Sequence, residues 1–174
     1  MNSPLKKFTY LWAITMCVAL VPAVYAAETV TLPNGAKLDL SMKCPVCNME
    51  ARSSTLGPAA VVLKDGKVVG FDTTGDMFRY LLDPKKYGFD PAALQQVYVT
   101  QYETQNFIDA KQALYVVGSD VKGSMGPEVV PFATRGDAEK FMSAHHGKKV
   151  VSYGEVELSD LKRKKGFFRM EHSH

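Results

Sequence analysis

The hydrophobic and polar positions of this chain follow a scheme that is written twice. Val68-Val69-Gly70-Phe71-Asp72-Thr73-Thr74-Gly75-Asp76 aligns with Val129-Val130-Pro131-Phe132-Ala133-Thr134-Arg135-Gly136-Asp137 at an offset of 61, and six of the nine pairs are identical. Such a repeat marks a duplicated supersecondary unit. In each copy a β-branched pair predicts a strand. Thr-x-x-Asp then predicts a helix start, with Thr73 or Thr134 capping the first turn and Asp76 or Asp137 answering it. Met77, Tyr80 and Leu81 share one helical face, as do Ala138, Phe141 and Met142, so Met77 and Met142 are expected in the core rather than on a metal. Asp83-Pro84 should stop the first helix and Gly147 the second. Strands over 97–102 and 149–153 close the two units.

A strand also precedes each copy. Ala60 to Leu63 turns through Lys64-Asp65-Gly66-Lys67, where Asp-Gly is a strong hairpin signal. Leu114 to Val117 reaches Val129 only after eleven residues, Gly118 to Glu128. The expected fold class is α+β: two duplicated ββαβ subdomains, over 59–104 and 105–158, following an N-terminal segment, 27–58, with a metal-binding loop. The long loop in the second copy places Met125 among glycines, where an apolar side chain has little local core to join. Loops on a rigid scaffold carry function, so Met125 is a candidate ligand, with packing at a loop tip the alternative. Residues 85–96 read as an extra connector and 101–106 as the link between the halves. His145 and His146 stand at a helix end, where they suit the dipole better than a metal.

Lys6 and Lys7, the apolar run from Phe8 to Val24 and the small residues around Ala26 make 1–26 a secretory signal. The expected location is the periplasm. A lipid anchor at Cys17 is the lesser option, because Ile14-Thr15-Met16 is a poor lipoprotein signal. Loss of the signal removes two positive charges and no acids, taking the formal +3 to +1. That balance speaks against a nucleic-acid partner, and nothing in the pattern calls for a small-molecule substrate. Residues 159–174 form a basic tail in which Lys162-Arg163-Lys164-Lys165 reads as a solvated run. Met170, His172 and His174 are at most opportunistic metal donors.

The chemistry concentrates in Met42-Lys43-Cys44-Pro45-Val46-Cys47-Asn48-Met49, which holds two thiols and two thioethers within eight residues. Soft sulfur donors favour Cu(I), zinc and iron–sulfur clusters, and thioethers shift the balance toward Cu(I). Cys44, Cys47 and Met49 are therefore candidate ligands of a Cu(I) site that Met125 completes. A plain Cys44–Cys47 disulfide is one alternative. A thioredoxin-like redox pair is another, but it needs a helix opening on the motif to lower a thiol pKa, and loop is expected on both sides. A closed zinc site needs four ligands, and only two cysteines are near.

With Cys44-Pro45-Val46-Cys47-Asn48-Met49 and Met125-Gly126-Pro127-Glu128-Val129-Val130-Pro131-Phe132 both in view, the chain resembles the NosL family from about Met42 to Leu158. The resemblance implies a pair of ββαβ subdomains, Cu(I) binding and delivery of copper to nitrous-oxide reductase, without enzymatic activity. The family's Cys-x-Met element falls on Cys47 and Met49, and its Met-Gly-x-Glu loop on Met125, Gly126 and Glu128. Asn48 stands where the family commonly has glycine, and Cys44 is a thiol that not all members carry. A thiol-disulfide oxidoreductase, or a metal sensor or scavenger without a client, is the rival reading.

Overall fold

A computed structural model describes residues 28–162; the expected export signal with Cys17, and Met170, His172 and His174 of the tail, lie outside the described residues. The chain opens on a hairpin, β1 (Thr29–Thr31) and β2 (Lys37–Asp39), where a loop is expected before the cysteine motif. Pro33-Asn34-Gly35 forms its three-residue turn, with Gly35 at φ 86°, the left-handed position that glycine fills in such loops. The hairpin persists because it docks. Leu32, Leu38 and Leu40 are buried against Ala60, Val62 and Tyr98.

Those three belong to a four-stranded antiparallel sheet of order β4-β3-β5-β6. Its strands are β3 (Ala59–Leu63), β4 (Val68–Phe71), β5 (Leu94–Thr100) and β6 (Phe107–Asp109). Between β4 and β5 run helices α1 (Thr74–Leu82) and α2 (Pro84–Tyr87) and a 3₁₀ turn at Pro91–Ala93, which fill the expected connector. Strand alternation sends Ala60, Val62 and Tyr98 to the N-terminal hairpin and Ala59, Val61, Val97 and Val99 to the central core. β6 lies beyond residue 104 yet pairs with β5, Tyr98 opposite Asp109.

The second unit is β7 (Leu114–Gly123), β8 (Gly126–Phe132), α3 (Arg135–Ala144) and β9 (Lys149–Ser152), in sheet order β8-β7-β9. The ββαβ plan thus occurs twice, as the repeat predicts. The eleven-residue loop does not occur. Pairing runs from Leu114–Phe132 to Val117–Val129 and resumes at Lys122–Pro127 and Gly123–Gly126. Residues 118–121 leave the ladder opposite Glu128 alone, a bulge that starts at Gly118 with φ 73°. Bulges raise the local twist and re-aim the strand beyond them. Here the hairpin is carried outward as paired strand, with Ser124 and Met125 at its tip.

The two units share one core. Phe78 of α1 meets the Tyr115 ring edge-on at 5.1 Å and Tyr153 at 5.3 Å, both from the second unit. Within the link at 101–106, Tyr102 lies 4.8 Å from Phe141 and 5.8 Å from Phe132, while 103–106 are exposed. His145 stacks on Phe141 at 4.2 Å and reaches Asp120 at 3.0 Å, which accounts for it as a capping and packing residue.

Candidate metal centre

Residues 43–50 form a small closed loop. Lys43 and Glu50 make an isolated antiparallel bridge and an ion pair at 3.5 Å. Inside it the Cys44 amide donates to the Met49 carbonyl at 2.8 Å and the Asn48 amide to the Cys44 carbonyl at 2.9 Å. The tight reversal puts Asn48 at φ 62°. Among non-glycine residues asparagine accepts that region most readily, which suits Asn48 to the reversal. No helix opens on either cysteine: the loop consists of turns and the bridge.

The two thiols are free, with Cys44 buried and Cys47 partly exposed. They converge on a feature that motif spacing does not assemble. Sγ of Cys44 and Cys47 and carboxylate oxygens of Asp72 and Asp76 all lie within 4.8 Å of one another. Cys47 donates to Asp72 Oδ1 at 3.1 Å, and Cys44 lies 3.7 Å from Asp76 Oδ2. The second oxygen of each carboxylate is held by the protein: Ser124 of the hairpin tip donates to Asp72 Oδ2 at 3.1 Å, and Arg79 donates to Asp76 Oδ1 at 2.8 Å. Each aspartate therefore ties one thiol to a fixed donor, the kind of hydrogen bonding that orients metal ligands.

Asp76 is consequently more than the helix cap expected of it. Thr73 does cap α1, accepting from the Asp76 amide at 3.2 Å, but the Asp76 carboxylate turns to Cys44 and Arg79 instead of answering the cap. In the second copy Asp137 keeps the simple role, accepting from the Thr134 hydroxyl at 2.6 Å. Asp72 is absent from the sequence-predicted ligands. Its signal is in the alignment of the copies, where Asp72 faces Ala133 in an otherwise matching run.

Electrostatics favour the neutral form of both thiols. Burial, with Asp76 adding to it, pushes the Cys44 thiol up. Burial and the carboxylates of Asp72 and Asp76 push Cys47 up strongly, against the Met49 amide. Burial likewise raises Asp76, with Asp72 adding and Arg79 opposing. A cation reverses this balance, because thiolate binding to a metal displaces the proton.

Beneath the site lies Glu128, fully buried. Its Oε1 accepts from the amides of Gly75 and Val129, and its Oε2 has no hydrogen-bond partner. The carboxyl occupies the space that side chains at Gly75 and Gly123 would need, so it wedges between the start of α1 and the hairpin tip. Burial raises its pKa to about 7, against the Val129 amide. Arg79 completes the support, donating also to the carbonyls of Pro127 at 3.1 Å and Leu161 at 2.9 Å.

The methionines divide. Met42 packs over Gly70, whose missing side chain makes room for its sulfur, and belongs to the outer core. Met49 and Met125 are 41% and 43% exposed and, with Leu82, are the exposed large apolar residues among those described. Met49 sits at the end of the cysteine loop. Met125 adjoins Ser124, whose hydroxyl holds Asp72, so the hairpin tip stands at the thiol site.

A duplicated ββαβ scaffold that displays a thiol pair beneath a hairpin tip defines a metal-handling protein of the soft-donor class. The chain belongs to the NosL family, whose sequence model matches residues 35–161. It is 30% identical over 129 residues to the copper-binding lipoprotein NosL of Stutzerimonas stutzeri, covering 70% of this chain and 65% of that protein. The chain thus spans a little under two thirds of that relative. Over 44 residues, 25% of this chain and 23% of the relative, it is 50% identical to the copper-binding lipoprotein NosL of Achromobacter cycloclastes. The crystal structure of the copper chaperone NosL from Shewanella denitrificans matches with a TM-score of 0.59 at 30% identity, over 70% of this chain and 93% of that one.

Proposed function

We propose that this protein is a non-enzymatic Cu(I) carrier of the periplasm that delivers copper to a client enzyme, nitrous-oxide reductase. One observation carries the reading: two thiols converge in a loop, each oriented by a carboxylate whose other oxygen is already engaged. That favours a sulfur-bound ion. Carboxylates suit hard cations and thiolates suit Cu(I), and four anionic ligands would overcompensate a single positive charge. Cys44 and Cys47 supply thiolate to the ion, Met49 and Met125 supply thioether, and Asp72 and Asp76 keep the thiols in place.

Delivery follows from the same arrangement. Two exposed thioethers on long, unbranched side chains form the outer part of the ligand set, so an incoming thiolate or imidazole replaces them before the cysteines let go. The oxidoreductase reading is disfavoured on physical grounds. A redox cysteine needs a lowered thiol pKa, usually from a helix N-terminus, whereas these thiols face carboxylates and open no helix.

The test is anaerobic Cu(I) titration of the mature protein with X-ray absorption, followed by incubation with copper-free nitrous-oxide reductase. One tightly bound ion with a sulfur-dominated shell, lost in Cys47→Ser and moving to the reductase, is expected. Undiminished affinity in the Cys44–Cys47 disulfide form sinks the thiolate site. Tight binding without transfer favours a scavenger.

A further inference from the structure

Along the β7–β8 hairpin lies a groove of about 700 Å³. Strand β7 builds one wall with Val117, Ser119 and Lys122, and the chain after α3 contributes Lys148 and Lys149. The C-terminal turn adds Ser159, Asp160 and Lys162. All four lysines are exposed, and the one acid among the lining residues, Asp160, pairs with Lys149 at 3.6 Å. In sequence the run continues as Arg163, Lys164 and Lys165. Ser119 Oγ is buried there without a hydrogen-bond partner, a hydroxyl able to donate to an incoming oxygen. The excess of positive charge is local, since the mature chain is close to neutral.

We propose that this groove docks an acidic segment of a protein partner, which on the function proposed above is the protein that receives the copper. Three observations choose that occupant. The groove's volume falls in the range of sites that hold extended or drug-sized ligands, roughly 300–1,000 Å³, and exceeds what a single inorganic anion fills. It shares Gly123, Gly126 and Pro127 with the hairpin that carries Met125, so a segment seated in it is held beside the metal site. None of the exposed large apolar side chains among the described residues, Met49, Leu82 and Met125, lines it. A membrane-docking face combines its basic residues with apolar anchors. Charge complementarity of this kind acts chiefly on encounter rate and orientation and weakens with salt.

The experiment uses the mature chain and its Lys122→Glu/Lys162→Glu variant, with Lys122→Ala/Lys162→Ala as a milder companion. Four measurements are made: affinity for a fluorescein-labelled oligoglutamate peptide at several salt concentrations, binding to phosphatidylglycerol vesicles, Cu(I) affinity by competition, and copper transfer to copper-free nitrous-oxide reductase. The peptide should bind the wild type in a salt-dependent way and about tenfold more weakly to the charge-reversed variant, the alanine variant falling between. Transfer should slow in the same order while Cu(I) affinity stays unchanged. Equal peptide affinity in both proteins, or undiminished transfer by the charge-reversed form, overturns the proposal. So does displacement of the peptide by inorganic phosphate at matched ionic strength, which marks a simple anion site. Vesicle binding that depends on the two lysines when peptide binding does not marks a lipid face and also overturns it. Lysine-dependent peptide binding with no copper transfer from the wild type supports the groove and removes nitrous-oxide reductase as the client.

Discussion

At the scale of single residues, Met125 and Glu128 make opposite statements. Met125 is 43% exposed at the hairpin tip, so removing its side chain should alter stability by no more than about 0.5 kcal/mol. If its thioether binds copper, Met125→Leu loses Cu(I) affinity and Met125→His regains part of it with a new pH dependence. Wild-type affinity in Met125→Leu, measured by competition, excludes the residue from the site. Glu128 is held between the positions of Gly75 and Gly123, and its pKa stands at about 7 against an ordinary 4.5. Between those values the unfolded chain has lost the proton that the folded protein retains. Stability from this group is therefore complete below pH 4.5 and lost as pH rises to about 7, on the order of 3 kcal/mol in all. Glu128→Gln keeps the shape and the acceptor for Gly75 but cannot ionise. Urea unfolding across pH 4.5–8 should show a flatter profile in the variant. Parallel profiles would mean that Glu128 does not retain its proton.

At the scale of elements, the same helix start has two outcomes. In α3, Asp137 is exposed and only answers Thr134, so Asp137→Ala should cost roughly 0.5–1 kcal/mol. In α1, Asp76 is fully buried and paired with Arg79, itself 11% exposed. Removing one partner of a buried ion pair costs about 3–5 kcal/mol, because the other charge is left uncompensated. Asp76→Ala should therefore destabilise several times more than Asp137→Ala and should weaken Cu(I) binding by releasing Cys44. Equal losses in the two variants, by urea unfolding, would show that the Asp76–Arg79 pair contributes little. The element plan of both units is legible in the chain, since strand and helix periodicity and Thr-x-x-Asp are local features. What Asp76 does is not legible, because Arg79 is local but the Cys44 thiol and the burial of the pair come from the tertiary fold.

At the scale of the molecule, the repeat does not make two independent bodies. Phe78 leaves α1 to join Tyr115 and Tyr153 of the second unit, and Arg79 of the same helix reaches Pro127 and Leu161. Thermal unfolding should be one transition, coincident when followed by tyrosine signals of the second unit and by reactivity of the buried Cys44 thiol. Phe78→Ala should lower stability by about 3–5 kcal/mol and keep the transition single. Two separated transitions would show that the units fold apart and meet only weakly.

The sequence by itself determined the duplicated ββαβ units, the burial of Met77 and the clustering of soft donors at Cys44, Cys47 and Met49. These arise from local periodicity, cap chemistry and ligand type, which need no knowledge of distant contacts. Tertiary structure decided the rest. It turned the N-terminal segment into a docked hairpin, stretched the expected loop into paired strand, and assigned Met42 to packing. It also brought Asp72 and Asp76 to the thiols and set Glu128 beneath them. The reason is physical: an acidic side chain near a helix start reads as a cap in any sequence. Only the contacts across the fold, which bury one such residue and leave its counterpart in water, make the first a support of the site and the second an ordinary cap.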